Sequence, residues 1–97
     1  GSVCDALMSH EPGENGFAIL NRLGVQGLAV SDGEVLAAVA FAFTELKLVV
    51  EPGGAAALAA VLSGKGTAAG KVLAVVLTGG NIDPSMMQRA LDNKGYL

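Results

Sequence analysis

The sequence predicts an α/β fold in which short parallel strands are flanked by helices, a fragment-like three-layer arrangement in the order α-β-α-α-β-α. Three observations carry that expectation. Val72–Leu77 is an unbroken apolar run rich in Val, bounded by Lys71 and Gly79, as a central parallel strand covered on both faces would be. Helix start and stop signals lie on both sides of it. The third observation is the composition of the 97 residues, 52% hydrophobic and only 15% charged, where an ordinary soluble domain carries about 25% charged residues. That length allows one domain, 1–97, and one so small buries a limited share of its surface. Two strands also make a poor independent sheet. The excess of apolar surface therefore predicts either an obligate oligomer or a piece of a larger protein.

The elements follow in order. Val3–Met8 is a short apolar run, and His10-Glu11-Pro12-Gly13 is a loop signal. Asn15–Leu23 reads as a short helix stopped by Gly24. Leu28–Val30, between Gly27 and Ser31-Asp32, reads as a short strand. Ser31 followed by Glu34 is a capping box, and the helix it opens should run to about Val49, ahead of Pro52. One face of that helix carries Val35, Val39, Ala42 and Leu46. The opposite stripe carries Glu34, Ala38, Phe41, Glu45 and Leu48. Phe and Leu on the polar side predict apolar contacts on two sides. Gly53–Ser63, almost all Ala, reads as a buried helix that permits close approach of its neighbours. Gly64–Gly70 is a turn. After the Val72–Leu77 strand, Asp83 caps a last helix with Pro84 at its first position, and Met86, Met87, Ala90 and Leu91 form its apolar side.

Charge and composition exclude some functions. The formal net charge is −3, and the six Lys and Arg are dispersed, so no basic patch marks nucleic-acid binding. The longest apolar stretches, Leu36–Phe43 and Ala55–Leu62, fall well short of the ~18 residues that span a bilayer. The single Cys4 permits no internal disulfide and fits a reducing, cytoplasmic compartment. Gly1-Ser2 has the look of an expression scar, so the start carries no weight.

Candidate chemistry is concentrated in two glycine-containing turns. Thr78-Gly79-Gly80-Asn81 follows the best strand, and ligands of open α/β sheets bind beyond strand C-termini. Thr78 offers a hydroxyl, and the glycines admit close approach to the backbone. On spacing alone, an ordinary strand–helix turn explains the same residues. Glu51-Pro52-Gly53-Gly54 joins the two middle helices, and Glu51 stands where a helix dipole favours a carboxylate; alone, it reads as a solvated or capping Glu. His10 lacks a second metal-type ligand and reads as a surface His. Cys4 reads as a small buried residue, Asp5 as the end of a strand, and Met86-Met87 as packing.

Taken together, Cys4-Asp5-Ala6-Leu7, Pro12-Gly13-Glu14, Leu28–Val35, Lys47–Ala55 and Val75–Pro84 resemble the C-terminal portion of fold-type-II pyridoxal-phosphate (PLP) enzymes, specifically threonine/serine dehydratases (ammonia-lyases) and serine racemases. The resemblance covers nearly the whole chain, which it equates with the C-terminal portion of the large domain. It implies that Thr78 contacts the pyridine nitrogen of PLP, with Gly79 beside it, and that Glu51 lies near the cofactor. Ser is frequent at the Thr78 position, and Gly is frequent where this chain has Ala6. The full-length family eliminates water from a hydroxy amino acid to give a 2-oxo acid and ammonia. Its Schiff-base lysine follows a Ser-Phe-like pair, and none of Lys47, Lys65, Lys71 or Lys94 has that context. Its Gly-rich phosphate loop and carboxylate metal ligands have no counterpart here either. The chain alone is therefore expected to be inactive and to bind no PLP. Its apolar helix faces are expected to meet a missing N-terminal PLP-domain segment or other copies of itself. The alternative is a free-standing oligomeric binding or assembly module without catalysis. A nucleotide site at Thr78-Gly79-Gly80 is weaker, because the glycine spacing matches neither the dinucleotide nor the P-loop fingerprint.

Overall fold

The computed structural model describes residues 1–9, 11–66 and 69–93. Four α-helices carry the fold: α1 (Glu14–Arg22), α2 (Asp32–Phe41), α3 (Ala56–Leu62) and α4 (Pro84–Asp92). Short 3₁₀ turns occupy Asp5–Leu7 and Pro52–Ala55, and a π-helical turn, Ala42–Leu46, extends α2.

The expected parallel strands are not formed, and the α/β arrangement is corrected to an all-helical one among the described residues. Leu28–Val30 and Val72–Leu77 have no regular secondary structure. A strand exists through its ladder of hydrogen bonds to a neighbour, and no backbone hydrogen bond among the described residues joins these two segments. Both line the same groove against α3, Leu28 and Val30 from the first segment and Leu73–Val76 from the second. The apolar run is covered on one side only: Val75 and Leu77 pack against the core, whereas Val72 is 100% exposed and Val76 70%. Asp5, expected to end a strand, instead opens the first 3₁₀ turn.

The helix signals fare better. The Ser31 side chain accepts a hydrogen bond from the Glu34 amide at 3.1 Å, as the N-cap of α2. Beyond it, Val35, Leu36, Ala37, Ala38, Val39 and Ala40 are all buried. Six consecutive buried residues require cover on every side of the helix. α3, α4 and the Pro52–Ala55 turn all pack against α2, so the contacts expected on two sides are present. The small side chains of α2 and α3 allow that crowding, and the largest fully buried side chains are only Val35 and Val39.

The α2 helix ends earlier than Val49. Thr44 Oγ1 donates to the Ala40 carbonyl at 2.8 Å, a back-bond that distorts helices. The turn widens there, and the Ala42 carbonyl accepts from the amides of both Lys47 and Leu48. Lys47, at φ 60°, then ends the helix in the left-handed region. Leu46 and Leu48, expected on its two faces, remain exposed.

α1 and α3 end in Schellman motifs. In α1 the amides of Gly24 and Val25 return to the carbonyls of Asn21 and Leu20, both at 3.2 Å. In α3 the amides of Gly64 and Lys65 return to Val61 and Ala60 at 3.0 and 2.9 Å. The Lys65 ammonium then reaches both Glu34 oxygens at 2.8 Å and the Ala29 carbonyl at 2.9 Å, tying the end of α3 to the start of α2. That hydrogen bond holds the Glu34 carboxyl below the usual glutamate range. α3 buries Leu58, Ala59 and Ala60, whereas Leu62 stays exposed, so it is covered on one side only. α4 begins at Pro84 behind Asp83, whose side chain makes no capping bond. Its Ala90 is buried, and Met86 and Met87 pack against the core, as packing residues would.

Candidate functional site

The two glycine-containing turns are 24 or more residues apart in sequence, and the fold brings them into direct contact. The Glu51 amide donates to the Gly79 carbonyl at 3.0 Å, and the Thr78 amide donates to the Gly54 carbonyl at 3.3 Å. These crossed bonds align residues 51–54 with 78–79. Three glycines make the approach possible. A side chain on Gly54 would collide with the Thr78 carbonyl, and one on Gly79 would collide with the Glu51 carboxylate. A Cβ on Gly80 would stand 2.9 Å from the Val49 carbonyl. Gly79 also has φ +70°, in the left-handed region that glycine enters freely.

The Asp5–Leu7 turn completes the cluster. A Cβ on Gly53 would meet Leu7 Cγ at 3.4 Å and Ala6 Cβ at 3.7 Å, so the first turn of the chain packs on the 52–55 turn. Of the residues expected at the site, Glu51 is half-buried and its carboxylate faces Gly79, while Thr78 and Gly79 lie exposed at the surface. Cys4, next to this turn, is buried. Burial pushes its thiol up, against the opposing hydrogen bond to Ser2. Gly54 is marked in the sequence only as part of the Glu51–Gly54 turn; its need to be glycine, set by the Thr78 carbonyl, is visible only once that neighbour is known.

The described lysines do not join the cluster through their hydrogen bonds. The Lys47 ammonium donates to the Thr44 carbonyl at 2.7 Å, and that of Lys65 is held by Glu34 and Ala29. His10 and Lys94 lie outside the described residues. Among the described residues, no group of three or more His, Cys, Asp or Glu side chains could hold a metal ion, and no helix is long and apolar enough to cross a membrane.

The sequence model of the pyridoxal-phosphate dependent enzymes matches residues 1–79. The chain belongs to the pyridoxal-phosphate dependent enzyme family. It is 35% identical to the L-threonine ammonia-lyase of Thermotoga maritima over 99% of its own length and 23% of that protein's. It is 36% identical to the phenylserine dehydratase of Ralstonia pickettii over 93% of its length and 28% of that protein's. The L-threo-3-hydroxyaspartate ammonia-lyase of a Pseudomonas species is 32% identical over 84% of the chain and 26% of that protein. The chain thus spans about a quarter of the length of these curated relatives. No solved structure matches it.

The family's cofactor is PLP, and the residues expected at its ring, Thr78 and Gly79, lie together with Glu51 in this cluster. The space a side chain would take at Gly79 is filled by the Glu51 carboxylate, that at Gly80 lies against the Val49 carbonyl, and Thr78 is exposed beside them.

Proposed function

We propose that this chain forms the ring-nitrogen wall of the PLP site in a lyase that removes water from a hydroxy amino acid, yielding a 2-oxo acid and ammonia. The observation that carries the reading is the convergence of Glu51–Gly54 on Thr78–Gly80, held by two crossed backbone hydrogen bonds and closed by the Glu51 carboxylate on Gly79. The relatives, two ammonia-lyases and a phenylserine dehydratase, support the same reaction class.

PLP, when bound, supplies an electron sink for the substrate's Cα carbanion. The chain's own residues act on its ring. With PLP in place, Thr78 would offer a neutral hydroxyl to the pyridine nitrogen. A carboxylate at that place would favour a protonated, positively charged nitrogen, whereas a hydroxyl does not. A neutral partner at Thr78 would make the bound cofactor a weaker sink, the chemistry that suits loss of a β-hydroxyl. Glu51 acts through Gly79, fixing the turn that presents Thr78. Alone, the chain is read as binding no PLP and as inactive, since none of its lysines has the family's Ser-Phe-like context and its sequence holds no Gly-rich phosphate loop. The surrounding polypeptide of a longer enzyme covers its apolar faces, and its single, buried Cys4 suits a cytoplasmic setting.

A chimaera tests this reading. The segment of the Thermotoga maritima L-threonine ammonia-lyase that aligns with this chain is replaced by the 97 residues. Ammonia release from L-threonine is expected, retained by Thr78→Ser and reduced by Thr78→Ala. A folded chimaera that binds PLP but is indifferent to Thr78→Ala would remove the ring-nitrogen role. Turnover of threonine by the isolated chain with added PLP would overturn the claim of inactivity.

The exposed apolar residues favour a second reading, a self-assembling module without catalysis. Phe17, Ile19, Leu20 and Leu23 are each at least half exposed on or beside α1, and a second copy could cover them. Sedimentation at several concentrations separates the two: a closed oligomer of defined size supports the module, and a polydisperse species supports the lyase segment.

A further inference from the structure

Asn15 and Gly16 lie in the first turn of α1 and take no part in the cofactor wall. Three features of this pair bear on its chemistry. Gly13 is the N-cap of α1 and has no side chain to cap with, so Gly16 occupies the third helical position. The first bond of the helix is made by Phe17, whose amide donates to the Gly13 carbonyl at 2.9 Å. The Gly16 amide therefore has no acceptor among the described residues. Apart from its chain neighbours and its own helix backbone, nothing lies within 4 Å of the place where a Gly16 Cβ would be, so no other segment of the chain packs over this turn at Gly16.

The helix itself offers little protection. α1 is nine residues long and buries none of them. Isolated helices shorter than about 12–15 residues are marginal in water, because most helical stability in proteins comes from packing an apolar face. α1 has no such packing, so its first turn opens at little free-energy cost.

We infer that Asn15 is a self-modification site, which loses its amide through attack by the Gly16 backbone nitrogen. The Gly16 nitrogen forms a bond to Asn15 Cγ, and the Cγ–Nδ2 bond breaks. Nδ2 leaves as ammonia, carrying the proton that the Gly16 amide gave up. The resulting five-membered imide takes up one water at either carbonyl, giving aspartate or isoaspartate. The net change is amide plus water to acid plus ammonia, with no oxidant or reductant. Aspartate would add a negative charge at a helix N-terminus, where the dipole favours it. Isoaspartate would insert an extra backbone carbon and break the first turn.

Other positions in the chain mark the contrast. Asn21 precedes Arg22 and Asn81 precedes Ile82, whose side chains crowd the attacking nitrogen. At Asp32-Gly33 the spacing is similar, but the Asp32 carboxylate is held by the Ser2 hydroxyl at 3.0 Å and the Val3 amide at 3.3 Å, and α2 beyond it is buried.

The experiment is prolonged incubation of the intact chain in mildly alkaline buffer, with and without urea, followed by peptide mass analysis. In native buffer, conversion at Asn15 is expected to be at least about tenfold faster than at Asn21 or Asn81, a ratio that a modest barrier difference supplies. Two chromatographically distinct products are expected. The native rate at Asn15 should stay within about threefold of the rate in urea, as an unprotected turn requires. Stronger protection in native buffer would overturn the proposal, as would conversion at Asn15 no faster than at Asn21.

Discussion

At Gly79 two constraints act on one residue. Its φ of +70° excludes ordinary side chains without strain, and the Glu51 carboxylate fills the space a Cβ would need. Gly79→Ala should therefore lower stability by about 1–3 kcal/mol, measured as a shift of the urea midpoint at unchanged slope. The double variant Gly79→Ala with Glu51→Ala separates the two constraints: it removes the collision and keeps the backbone strain, so it should recover part of the loss and not all of it. Gly54 is the complementary case. Its obstacle is the Thr78 carbonyl, a backbone atom that cannot rotate away. Gly54→Ala is expected to destabilise by about 1–3 kcal/mol, as overpacking does, and to shift the amide resonances of Thr78 and Gly79 in an NMR spectrum. Unshifted resonances would mean that the two turns are not joined as described. The sequence made Thr78, Gly79 and Glu51 visible as chemistry-bearing residues. Their contact was not visible, because it is set by crossed hydrogen bonds between segments whose separation in space has no local sequence signal.

Among the elements, the helices were legible because their signals are local. Ser31 at the N-cap of α2 satisfies an amide three residues on, and Gly24 and Gly64 stand where the Schellman motifs of α1 and α3 need them. Ser31→Ala should cost about 1 kcal/mol, read from thermal or urea unfolding, and Ser31→Asp should restore most of it. The Glu34–Lys65 pair joins α2 to the end of α3. Its Glu34 carboxyl is held below the usual range chiefly by the hydrogen bond from Lys65. The stability this adds is fully present above the ordinary glutamate range and is lost as pH falls through the lowered folded value. The pair is exposed, so the effect is small and screened by salt. Glu34→Gln is expected to flatten the acid limb of the stability profile slightly and to leave the neutral region little changed; an unchanged acid limb would show that the pair is not formed in solution. The strands were misread for the opposite reason. A Val-rich run reports that a segment needs burial, whereas strand geometry depends on a neighbour that supplies a ladder. Val72–Leu77 has the composition and lacks the neighbour.

Across the whole molecule, the excess of apolar residues is expressed as open surface. α2 is buried on all sides, yet α1 buries nothing, and Val72 and Val76 stand in solvent. A chain built this way should bind a hydrophobic dye strongly in its native state and associate as concentration rises, measured by dye fluorescence and sedimentation. A monomer without dye binding would contradict the exposure described here. The sequence by itself determined the family, through short motifs in a set order, and the capped ends of α2 and of the glycine-terminated helices, because those depend on residues within a few positions of one another. Tertiary structure alone decided that the apolar runs at Leu28–Val30 and Val72–Leu77 remain unpaired, and that Gly54 and Gly79 bring Glu51 and Thr78 onto one wall. Both outcomes rest on contacts between distant segments, where the absence of a hydrogen-bonding neighbour or of a single Cβ determines the result.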